Sequence, residues 1–139
     1  MFIIIPPKKG PKIAPFGFYL GFVQGIVLNW FTVKILKLWK YPGDISLKGI
    51  PILTCICWIP TANLFAYFFP YGKNLTWKTG YILMFGTGTT IAQYIQGIIG
   101  MWESKKWKTI YTFPLAIITH TIMALSLPLF KLNKIRENN

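Results

Sequence analysis

Acidic side chains are almost absent from this chain: Asp44, Glu103 and Glu137 are the only three in 139 residues. That scarcity excludes paired carboxylates for general acid–base work and acidic clusters for a metal ion. Histidine occurs once, at His120, and serine only at Ser46, Ser104 and Ser126. No set of nucleophile, base and orienting group can be assembled from this inventory, so the sequence reads as non-enzymatic. Cysteine occurs twice, at Cys55 and Cys57. Two residues apart, they point to different faces of a helix, and no second ligand pair accompanies them. They read as buried apolar thiols, and no cofactor or metal is expected. The glycine-rich "GTGTT" at Gly86 to Thr90 lies inside an apolar run and reads as packing rather than a phosphate loop.

Charge is also missing from four long stretches. Ile13 to Val33, Gly49 to Gly72, Thr79 to Trp102 and Thr109 to Phe130 contain none over 21, 24, 24 and 22 residues. About 20 apolar residues span the hydrocarbon core of a bilayer. The pattern predicts an all-α membrane protein, an up-down bundle of four transmembrane helices over 13–33, 49–72, 79–102 and 109–130 in one domain. The short connections between runs favour sequential antiparallel packing.

What remains fits that reading. Trp30, Trp39, Trp77, Trp102 and Trp107 fall at or just beyond the run ends, where amphipathic rings settle at headgroup depth. The net charge of +12 comes from lysines that fence the runs. A nucleic-acid binder gathers its basic residues on one face, so no nucleic acid is expected. The expected partners are the lipid bilayer and its anionic headgroups.

The first run is too long for the apolar region of a signal peptide, about 7–15 residues, and its exit "LNWFTVK" offers no cleavage site. It reads as a retained helix. Pro6, Pro7 and Pro11 interrupt any helix before it, and the first five residues are expected to rest in the interface. Orientation rests on lysine and arginine counts. The termini and second loop carry eight, the first and third loops seven. That margin puts both termini in the cytoplasm, with dual topology as the alternative. A sequon at Asn74 is discounted because its loop is so short.

Within the runs, small residues form stripes. Gly17, Gly21, Gly25 and Asn29 are spaced by four and share one slowly drifting helix face. Gly86, Thr90, Gln93, Gly97 and Gly100 advance by four and three, as in a helix seam. Thr112, Ala116, His120 and Ala124 form a third line. Glycine lets backbones approach closely where apolar burial cannot drive helices together. Gly17, Gly21, Gly25, Gly86, Gly97 and Gly100 are therefore the expected packing residues, with a helix of this bundle, a second copy or a membrane-protein partner opposite. Gln93, Gln96, His120 and Asn63 form a candidate intramembrane polar cluster. Gln93 and His120 lie at similar depth and are expected within hydrogen-bond reach of each other.

"AYFFPYGKNLTWKTGYILMF" followed by "GMWESKKWKTIYTF" resembles a family of small multi-pass membrane proteins of Bacillus- and Clostridium-type bacteria. The resemblance covers about half of the chain and implies a bacterial cell-membrane location. The family has no assigned activity. It has an acidic residue in its third helix where this chain has Gln93, which sets aside any carboxylate-dependent role. "ESKKWKTIYTFPL" also loosely resembles the membrane anchor of processive family-two glycosyltransferases, without their catalytic domain. The sequence thus supports a structural or accessory membrane component. A small pore or carrier, either a holin-like channel or a solute transporter, and a stand-alone remnant of a glycosyltransferase anchor are the alternatives.

Overall fold

The computed structural model describes residues 5–6 and 8–132. Glu137, Lys134, Arg136 and the first four residues lie outside them. The described residues are mostly helical and form four helices: α1 (Gly10–Ile35), α2 (Ile52–Phe68), α3 (Leu75–Ile98) and α4 (Thr112–Ser126), the last entered through a tight turn at Thr109–Tyr111. The four charge-free runs each produce one helix, with shifted ends. Two helical stretches, Gly10–Ile35 and Thr109–Ser126, are long and apolar enough to cross a membrane. α2 is apolar but has 17 residues. α3 has 24, interspersed with glycine, threonine and glutamine.

The shifts have local causes. α2 starts late because Ser46–Leu47 pairs antiparallel with Ile50–Pro51. Lys48 and Gly49 make the turn with φ of 52° and 84°, the paired positive angles of a tight hairpin. α3 starts early because the Asn74 side chain accepts the Trp77 N–H at 3.2 Å, which caps the helix four residues before Thr79. It ends early because Gly100 takes φ 76°, a left-handed stop.

Pro51, at the cap position of α2, makes no side-chain cap. Asp44 supplies one from the preceding loop. Its Oδ1 accepts from the Leu53 N–H at 3.0 Å, and its Oδ2 from the Thr54 N–H at 2.9 Å and the Thr54 hydroxyl at 2.5 Å. One of the few acidic residues is thus used at a positive helix end.

The helices alternate in direction. Gly17, Gly21 and Gly25 of α1 face Asn63, Trp58–Ile59 and Cys55 of α2 in descending order. Phe65 meets Phe85 and Phe69 meets Tyr81 across α2 and α3. Gly86 meets Ile117, and Phe85 meets His120, across α3 and α4. Gln24 Nε2 reaches the Thr119 carbonyl of α4 at 3.4 Å. Parts of α1, Gly17–Val23 and Trp30–Ile35, are wound in wider π turns. A wider turn brings residues four apart closer to one line than the α-helix does, so it suits the glycine stripe.

Packing is tight at one end of the bundle. Ile5, Ile13, Phe16, Ala62, Phe65, Phe69, Met123, Leu127 and Leu132 form a continuous core there. Ile5, the described member of the first five residues, is 3% exposed within it. That corrects the expectation of an interfacial segment at this position. At the opposite end, Trp39–Lys40 pairs with Glu103–Ser104, tying the first and third loops together. Lys40 Nζ and Glu103 Oε2 add an ion pair at 2.8 Å. Trp39 stacks near Trp102 and Trp107 with ring centroids 6.4 and 5.2 Å apart. Trp39 and Trp102 are consequently buried, whereas Trp30 and Trp77 are exposed.

Several polar side chains are buried beside this apolar core, and many large apolar ones are exposed. Asn29, Thr32, Asn63, Gln93, Thr112 and His120 are buried. Val27, Ile91, Ile98, Ile118 and Leu125 are more than half exposed. Cys55 is buried but Cys57 is exposed, which corrects the reading of two buried thiols.

Candidate functional site: a cleft between the second and third helices

α2 and α3 touch through Phe65, Phe69, Tyr81 and Phe85 and part beyond them. The gap encloses a cavity of about 790 Å³. Thr54, Trp58 and Thr61 of α2 form one wall and Gly88, Thr89 and Gln93 of α3 the other. Thr112, Ala116 and Thr119 of α4, with Leu28 and Asn29 of α1, form the floor. Trp39, Tyr41 and Asp44 close the end near the first loop. Phe85 ends the cavity inside the bundle, where its ring packs edge-on to Phe65 at 5.1 Å. The lining residues Leu53, Cys57, Met84, Gly88 and Ala92 are exposed, so the cleft opens sideways between α2 and α3.

The lining is mainly apolar with a few polar groups, the usual make-up of a ligand pocket, and its size falls in the small-molecule range. Gln93 and Asn29 line it at 8% and 2% exposure, and each has a side-chain oxygen without a hydrogen-bond partner. Asn29 is anchored by its Nδ2, which donates to the Gly25 carbonyl at 2.9 Å. Gln93 makes no hydrogen bond to another described residue. A buried amide oxygen left unpaired costs about 1–3 kcal/mol. Trp39 Nε1 lies beside the Tyr41 hydroxyl without reaching hydrogen-bond geometry. Burial pushes the Tyr41 hydroxyl well above its ordinary pKa. Asp44 also lines the cavity, with both oxygens committed to the start of α2. No lysine or arginine among the described residues lines it.

The expected polar cluster therefore divides. Gln93 and Gln96 reach the cleft. Asn63 packs instead against Gly17, whose missing Cβ leaves room for the Asn63 amide. His120 is fully buried, with Nδ1 2.7 Å from the Ala116 carbonyl of its own helix. Its ring lies 5.4 Å from Phe65 and 5.6 Å from Phe85. The expected Gln93–His120 hydrogen bond is not formed: His120 Nδ1 faces the Ala116 carbonyl of its own helix, and its Nε2 meets no partner among the described residues.

The glycines divide as well. Gly17, Gly21 and Gly25 all pack on α2, and Gly86 packs on Ile117 of α4. A Cβ on Gly97 would lie 3.5 Å from the Trp102 ring, beyond the end of its own helix. Gly100 has open space around its Cβ position and serves the turn. Helix packing is therefore corrected to a turn role for Gly100. Trp39, Tyr41, Asp44, Thr54 and Gly88 were not singled out as site residues. Nothing in their spacing marks a cleft that only the divergence of α2 from α3 creates.

No family model, curated protein or solved structure matches this chain.

Proposed function

We propose that the chain is a multi-pass integral membrane protein acting as a non-catalytic, accessory membrane component, with all four helices in the bilayer. The exposure of large apolar side chains, together with the burial of polar ones, carries this reading. A soluble bundle hides its leucines and isoleucines, whereas here Ile91, Ile98, Ile118 and Leu125 point outward while Asn29, Asn63, Gln93 and His120 point inward. Lipid is the solvent that favours that arrangement, since polar groups in a span face the bundle interior. α2 has 17 residues and is about 26 Å long at helical rise, close to the hydrocarbon thickness of about 30 Å. Its flanking hairpin and Pro70 turn complete the passage.

The placement of the titratable groups supports a role without catalysis. Asp44 caps α2, Glu103 pairs with Lys40, and His120 is wedged between two phenylalanines. The glycine stripe of α1 is used within the chain, which supports a self-contained bundle. The pore reading is less well supported, because the cleft ends at Phe85 and His120 lies off it. A bacterial cell membrane is the proposed location.

Alkaline carbonate extraction of expressing bacteria tests the reading, followed by thiol labelling of intact membranes. The chain should stay in the pellet. Single cysteines placed at Lys73 and at Lys105 should label from opposite sides. Release into the supernatant, or labelling of both from one side, would overturn it.

A further inference from the structure

We propose that the cleft between α2 and α3 binds one uncharged, lipid-like molecule with an apolar body and a hydroxyl-bearing head. Three observations select that chemistry. The cavity's lining is largely apolar and its mouth opens sideways past Leu53, Cys57, Met84 and Ala92, all exposed. A molecule dissolved in the bilayer therefore reaches it without crossing the loops. Gln93 lines it near its loop end, and its side-chain amide makes no hydrogen bond to another described residue. A hydroxyl donates and accepts, so it can meet the Gln93 amide in either orientation. Finally, no lysine or arginine among the described residues lines the cleft, and the Asp44 carboxylate is committed to the start of α2. A phosphate head would enter uncompensated, although lysines are plentiful in the loops outside.

The head therefore sits near Gln93, Asn29 and Thr112, at the end closed by Trp39 and Tyr41. The apolar body runs inward between Trp58 and Met84 and stops at Phe85. A glycerolipid with one acyl chain and an isoprenoid alcohol share these features.

The inference rests on the chain lying in the bilayer. Carbonate extraction fails with that reading, whereas the experiment below can fail alone. The purified full chain in detergent is titrated with mono-oleoylglycerol, geranylgeraniol or mono-oleoyl phosphatidic acid, and bound lipid is counted by native mass spectrometry. Gly88 lines the cleft with open space at its Cβ position, so Gly88→Trp fills the cavity without displacing a neighbour's backbone. Gln93→Leu removes the head contact.

One molecule of at least one alcohol should bind to the native chain. Gly88→Trp should abolish binding, with unchanged circular dichroism, and Gln93→Leu should weaken it about tenfold. Binding of one alcohol alone would support the proposal and identify the source as glycerolipid or isoprenoid. Three results would overturn it: no bound alcohol, alcohol binding indifferent to both variants, or equal binding of the phosphatidic acid lost in Gly88→Trp.

Discussion

Gly21 of α1 meets Trp58 of α2 main chain to main chain: a Cβ on Gly21 would lie 2.7 Å from the Trp58 carbonyl oxygen. The next nearest atom is the Ile59 Cα at 2.8 Å, so no side-chain rotation relieves the contact. The glycines on this chain are therefore not equivalent, although the sequence spaces them alike.

A graded alanine series tests that ranking. Gly21→Ala forces two backbones apart and should cost about 1–3 kcal/mol, the usual range for overpacking. Gly25→Ala places its Cβ 3.5 Å from the Cys55 Cα, an ordinary contact, and should be near neutral or stabilising through helix propensity. Gly86→Ala meets the Ile117 Cδ1 at 2.6 Å, a flexible methyl that can turn away. It should fall between the two. Thermal unfolding in detergent reads the order, and equal effects at Gly21 and Gly25 would contradict it.

The two described acidic residues should differ sharply. Asp44 accepts three hydrogen bonds at the start of α2. Asp44→Ala removes the cap and should cost about 1–2 kcal/mol. Glu103 pairs with Lys40, but the side chains are 54% and 47% exposed. An exposed pair contributes about 0–1 kcal/mol, so Glu103→Gln should shift stability little. Chemical denaturation of both variants checks this. A larger loss in Glu103→Gln would mean that the ion pair, rather than the cap, holds the loops.

Helix number and order were legible because each charge-free run is a solvent statement: only a segment withdrawn from water tolerates such a stretch. Helix ends were not, because charge fences mark where apolar sequence stops and caps mark where hydrogen bonding stops. Lys78 lies inside α3 because Asn74 had already capped it. Gly17, Gly21 and Gly25 were legible as packing residues, but not their partner. The sequence offers no sign that Asn63 belongs opposite Gly17 rather than beside Gln93. The cleft was illegible for a related reason. It is a gap between α2 and α3, and a gap depends on which faces turn together.

His120 provides the test between structural and transport roles for the buried polar groups. Its ring fills space between Phe65 and Phe85, and its Nε2 has no partner. Leucine is close in volume and removes that unpaired nitrogen. His120→Leu should therefore change stability by less than about 1.5 kcal/mol. It should leave the membrane potential of expressing bacteria unchanged, as read by a voltage-sensitive dye. A depolarisation present in the native chain and lost in His120→Leu would instead put the histidine on an ion path.

Alkaline pH should loosen the end of the bundle that Tyr41 closes. Burial raises the Tyr41 pKa, so the folded chain holds its phenol proton at a pH where the unfolded chain releases it. Its contribution is intact below the ordinary tyrosine value of about 10 and is lost as pH rises beyond that. Tyr41→Phe removes the ionisable group while keeping the ring. The native chain should lose thermal stability more steeply above pH of about 10 than Tyr41→Phe does, and the two curves should run parallel at neutral pH. Parallel curves throughout would show that Tyr41 ionises as freely in the folded chain as in the unfolded one, and that water already reaches this end of the cleft.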